Sequence, residues 1–119
     1  MNPTTALRLA ALAGFLAVAL GALGAHGLKA VLVKYGTLAP WDTAVLYHLA
    51  HAIVLLVLAQ RAVVPRLPFA LFGAGIVIFS GSLYTLALTN VKWLGAITPL
   101  GGLCLLGGWL ALMRAKTRD

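Results

Sequence analysis

The chain is poor in acid. Asp42 and Asp119 are the only side-chain carboxylates in its 119 residues. Neither sits inside a long apolar run, so acid–base chemistry built on a buried carboxylate is excluded, and no enzyme activity is expected. Cysteine is nearly absent too. Cys104 stands alone, so no disulfide forms within the chain and no cysteine-based zinc site is available. Set in an apolar run, Cys104 reads as a small buried hydrophobe. Charge of either sign is scarce, at 9% of residues against roughly 25% in soluble domains.

What replaces charge is apolar residue, at 62% of the chain. A soluble protein this short keeps much of its surface in water and has nowhere to hide so much apolar area. Lipid as solvent removes the difficulty. Four apolar runs, at about 9–25, 43–64, 67–89 and 95–113, each match the roughly 17 to 25 residues that span a bilayer as a helix. Helices are required because lipid offers no partner to backbone groups. The sequence therefore predicts an all-α integral membrane protein, a four-transmembrane-helix bundle in one membrane domain of residues 1–119. Asp42 is placed to cap the second helix, and Pro99 to kink the fourth or mark a late start.

The net charge of +7 does not imply nucleic acid. The basic residues lie singly or in small groups between apolar runs, as topology signals do, and form no basic face. Arg8, Arg61, Arg66, Arg114, Lys116 and Arg118 fall on one side, and Lys29, Lys34 and Lys92 on the other. The richer side is cytoplasmic by the positive-inside rule, which puts both termini there. Trp41 and Trp93 then reach the outer boundary and Trp109 nears the inner one, as an aromatic belt requires. The first run has a rival reading. Arg8, the apolar stretch and Ala22-Leu23-Gly24 resemble a secretory signal peptide. Retention as a helix is favoured, because the apolar core of a cleaved signal is shorter, about 7 to 15 residues.

Leucine gives little drive for helices to associate in lipid, whereas small residues let backbones approach. Ala10, Gly14, Ala17, Gly21 and Gly24 form one such face on helix one. Gly73, Val77 and Gly81 mark a seam on helix three, and Gly101, Gly102, Gly107 and Gly108 do so on helix four.

Polar residues in these runs are the candidates for function. Tyr47, His48 and His51 share a stripe of helix two, Ser80 and Tyr84 share a face of helix three, and Ser82 points the other way. With His26 at the end of helix one and Thr98 at the start of helix four, all are assigned to the outer half of the membrane. His51 and Ser80 are given equal depth there. Polar groups in lipid seek one another, so the candidate cluster is His26, Tyr47, His51, Ser80, Tyr84 and Thr98, with His48, Ser82 and Asp42 as weaker members.

Three readings follow. The first is a structural or accessory protein whose cluster fixes the bundle or docks a membrane-protein partner or a second copy. The second is a small-solute transporter or proton conduit that uses His51, His26, Tyr47, Ser80 and Tyr84. The third is a haem- or metal-binding module. It has a thin ligand set: His48 and His51 share a face, but no carboxylate joins them at depth. No cofactor and no metal ligand is assigned, and the lipid bilayer is the expected partner.

Four motifs carry a resemblance. They are Gly21-Ala22-Leu23-Gly24-Ala25-His26-Gly27-Leu28; Tyr47 with His51; Phe79-Ser80-Gly81-Ser82-Leu83-Tyr84; and Thr98-Pro99-Leu100-Gly101-Gly102 followed by Gly108-Trp109. In this order the chain resembles the YgdD-like family of small inner-membrane proteins, a domain of unknown function (423) related to transmembrane protein 256 of animals. The resemblance implies a small multi-helix membrane architecture and no established activity or cofactor. Two positions depart from the family pattern: Leu23 stands for Phe, and His48 stands for Gln. The resemblance thus implies a shared role for His51 and His26 more than for His48.

Overall fold

A computed structural model describes residues 1–116; Arg118 and Asp119, named above, lie outside the described residues. Its elements are α1 (Pro3–Ala25), α2 (Lys29–Tyr35), α3 (Leu38–Ala59), α4 (Arg66–Gly75), α5 (Gly81–Thr89) and α6 (Thr98–Arg114). A π turn, Ile76–Ser80, joins α4 to α5, and a 3-10 turn, Lys92–Ala96, leads into α6. Four helical stretches are long and apolar enough to cross a membrane: Pro3–Ala25, Leu38–Ala59, Arg66–Thr89 and Lys92–Arg114.

Local chemistry sets most of the ends. Asn2 caps α1, its Oδ1 accepting from the Thr4 N–H at 2.8 Å, and Pro3 occupies the first turn, where its missing N–H costs nothing. Gly36 and Asn90 end α2 and α5 in the left-handed conformation that these two residue types adopt most readily. Pro99 lies at the start of α6, the late start that its position predicts.

The second span is displaced from its expected place. It runs over Leu38–Ala59 instead of 43–64. Pro40 is tolerated in a first turn, so the helix begins earlier. At the other end Pro65 disfavours helical backbone at Val64, and residues 60–65 leave the helix. Asp42 therefore lies inside α3, exposed, and does not cap it.

The spans pack mainly in chain order. α1 lies on α3, α3 on the third span, and the third span on α6. The α1 face against α3 is the expected small-residue face, with Ala10, Ala17 and Gly24 buried and Ala6 added to it. One apolar core (Ala6, Ala10, Leu55, Leu58, Phe69, Phe72, Leu105) lies toward the termini. A smaller one (Leu32, Trp41, Ala87) lies at the opposite end, under α2.

Glycines set the closest contacts, but not all of those expected. A Cβ on Gly101 would overlap the backbone of Phe79, and one on Gly108 would press into the Phe72 ring. In the third span the contact glycine is Gly75, against Leu105, whereas Gly73 and Gly81 have open space beside them and Val77 is exposed. The Gly73–Val77–Gly81 seam thus faces away from α6. Gly75 lies two residues on from Gly73, about 200° around the same helix, so when Gly75 meets α6 Gly73 must face the other way.

Candidate functional site

The polar side chains of the spans form two groups joined by α3. In the first, His48 is buried and its Nδ1 lies 2.9 Å from the Tyr84 hydroxyl. Tyr84 meets the Trp41 ring edge-on, with centroids 4.8 Å apart. Trp41 is only 1% exposed, and its indole N–H donates to the Leu20 carbonyl at 3.1 Å. Gly24 makes this possible, because a Cβ there would overlap the indole. Trp41 is therefore a buried cross-brace between α3 and α1, not a residue of the outer belt. Trp93 is exposed, as a belt residue would be.

Two hydroxyls extend this group. Ser80 donates to the Ala44 carbonyl and Thr37 to the Ala87 carbonyl, both at 2.8 Å and both buried. Each hydroxyl uses the second lone pair of a carbonyl in a neighbouring element, the way polar side chains join helices in lipid. Thr37 was not among the sequence candidates. Its only signal is a hydroxyl beside Gly36 in a connection that reads as exposed.

His51 anchors the second group and is 7% exposed. Its Nδ1 lies 2.8 Å from the Tyr47 carbonyl, one turn back. Trp109 donates its indole N–H to Nε2 at 3.1 Å. A carbonyl accepts only, and an indole N–H donates only. The His51 ring therefore carries its proton on Nδ1 and accepts on Nε2 in this arrangement. Phe72, fully buried, packs on both rings, with centroids 5.6 Å from His51 and 5.1 Å from Trp109. Tyr47 stacks beside His51 and touches Phe79. Trp109 thus turns its N–H into the protein and does not serve as a belt residue.

The remaining candidates separate. Ser82 and Thr98 share a hydrogen bond of 2.6 Å that ties α5 to the start of α6, on the face opposite Ser80 as expected. His26 is exposed at the end of α1, and its side chain joins neither group. Asp42 is exposed as well. The expectation of equal depth for His51 and Ser80 is corrected. His51 lies thirteen residues into α3 and eight from its end, whereas Ser80 pairs with Ala44 near the start. At about 1.5 Å per residue the levels differ by about 10 Å. The earlier start of α3 carries His51 past the middle of the span.

Every buried side-chain nitrogen and oxygen among the described residues has a hydrogen-bond partner. Those residues hold no group of three or more His, Cys, Asp or Glu with the geometry of a metal site. Both His51 nitrogens are engaged, so ligating a metal through Nε2 would require displacing Trp109.

An apolar groove of about 480 Å³ opens between α1 and the third span. Leu12, Leu16, Ile76 and Val77 help to wall it, and His48 and Tyr84 reach it from within. Gly73 and Gly81 line it, which accounts for the open space beside them.

Known proteins agree with this architecture. The family model described as "Protein of unknown function (DUF423)" matches residues 20–102, from the Trp41 seat on α1 to the Gly101 contact on α6. The chain is 44% identical over 118 residues to the UPF0382 membrane protein YwdK of Bacillus subtilis, covering 92% of this chain and 94% of that one. It is 45% identical to the UPF0382 membrane protein SERP0230 of Staphylococcus epidermidis, covering 92% and 93%. A UPF0382 membrane protein of Haemophilus influenzae is 42% identical, covering 89% and 88%. No solved structure matches. With a family model matched over residues 20–102 and relatives above 40% identical along nearly its whole length, the chain belongs to the DUF423 family, the UPF0382 membrane proteins.

Proposed function

We propose that the protein is a non-enzymatic structural or accessory component of the bacterial inner membrane. Both termini lie in the cytoplasm in this reading, supported by Arg8, Arg61, Arg66, Arg114 and Lys116 on one side against Lys29, Lys34 and Lys92 on the other. One observation carries the proposal. Five bonds between buried or half-buried polar groups tie element to element: Trp41 to Leu20, Ser80 to Ala44, Tyr84 to His48, Trp109 to His51 and Ser82 to Thr98. Groups so engaged fix the bundle. The lipid-facing surface is left to meet a partner protein or a second copy.

A conduit reading gets less support. His48 and His51 are close on α3, but one bonds to the third span and the other to the fourth, so they do not form one hydrogen-bonded chain. Reconstitution into liposomes with a pH-sensitive dye separates the two. The accessory reading expects no proton flux above empty liposomes, for the wild type and for His51→Ala alike. Flux lost in His51→Ala would overturn it. Crosslinking in native membranes should capture a defined neighbour; a lone monomer in every preparation would count against the accessory role.

A further inference from the structure

The break between α3 and α4 joins two helical stretches long and apolar enough to cross a membrane, and there it meets the end of α6. Together they enclose a cavity of about 480 Å³, lined by Gln60, Arg61, Ala62, Val63, Pro65, Ala115 and Lys116. Two cations from distant parts of the chain line one concavity. Gln60 adds amide donors, and the N–H groups of Ala62 and Val63 bond to no backbone carbonyl among the described residues. Among the described residues the lining is therefore rich in donors and positive charge and holds no carboxylate.

We propose that this cavity binds the phosphate of an anionic phospholipid. Arg61 offers a planar fork of donors that matches two phosphate oxygens, and Lys116 a mobile point charge. Free phosphate shares this chemistry. Position favours the lipid: Arg61 comes two residues after the end of α3 and Lys116 two residues after the end of α6, the level at which headgroups lie. An acyl chain from the same lipid would run down the apolar surface beside α6.

Native mass spectrometry of the full chain tests this after exchange into bilayers of equal phosphatidylglycerol and phosphatidylcholine. The wild type should retain phosphatidylglycerol in preference to phosphatidylcholine. Arg61→Gln and Lys116→Gln should each lower that retention about five-fold, the effect of one cation near an anionic surface. Arg8→Gln, on the same side but outside the cavity, should leave it unchanged. Equal retention of both lipids by the wild type overturns the proposal, as does an Arg8→Gln loss as large as that of Arg61→Gln. If 10 mM inorganic phosphate displaces the lipid, the ligand is the free anion and the lipid assignment fails. Melting in phosphatidylcholine alone, unchanged in all three variants, confirms that the losses are not unfolding.

Discussion

The molecule has two unlike halves that share α3. On the α1 side the seam is a row of alanines closed by one large side chain, Trp41, seated over Gly24. A groove remains open beside it, with His48 within reach. On the α6 side the backbones nearly touch at Gly101, side chains press into Gly75 and Gly108, and His51 is pinned on both nitrogens. In lipid, burying leucine offers little, so closeness must come from missing Cβ atoms or from polar bonds. One half relies mainly on the first means, and the other adds a cross-brace where closeness fails.

The sharpest way to break this contrast is Gly101→Val. Its side chain would overlap the backbone of Phe79, which has no rotamer with which to yield. The expected cost exceeds about 3 kcal/mol, the upper range for overpacking, and the protein should fail to fold in detergent as judged by thermal melting. Gly24→Ala comes next. There the obstacle is the Trp41 ring, which can shift, so a loss of about 1–3 kcal/mol is expected. Because the two residues touch, a double-mutant cycle with Trp41→Phe should be strongly non-additive. Additive effects would mean that Gly24 does not seat the ring.

His51→Leu keeps the volume and strands the Trp109 N–H. A loss of about 1–2 kcal/mol is expected, with a shifted Trp109 fluorescence maximum, since interhelical bonds in membranes reach about 1.7 kcal/mol. His48→Gln, which installs the residue usual in the resembling family, should cost less than about 1 kcal/mol, because an amide still pairs with Tyr84. A larger loss for His48→Gln than for His51→Leu would reverse the comparison. The smallest effect belongs to Gly81→Ala, which faces open space and should be neutral or slightly stabilising.

Much of this was legible in the chain. The four spans, the α1 face and the Thr98-Pro99 start follow from length, small residues and proline. The α3 boundary did not, because an apolar run says nothing about which residues around Pro40 are helical. The inner faces of the other helices were harder to read. Lipid-facing and protein-facing sides are both apolar in a span, so periodicity carries little signal. Gly73 and Gly75 lie on nearly opposite sides of α4, and only the packed structure shows that Gly75 is the one that meets α6. Of the candidate residues, Tyr84 bonds to His48 and Thr98 to Ser82, a pairing that the sequence did not indicate. His26 stands apart and His51 lies deeper than expected, because both placements depend on where helices end. The Trp41 and Trp109 partnerships were invisible, since a tryptophan near a span end reads first as a belt residue.

The order of packing has a consequence for how the chain is made. Each span rests mainly on the one synthesised just before it. A helix entering the bilayer therefore finds its neighbour already in place, and no early segment must wait for a late one. Contacts local in sequence close small loops and form fast. Assembly during translation can proceed as a zipper from the N-terminus, and a stall after any hairpin leaves a packed intermediate instead of an orphaned helix.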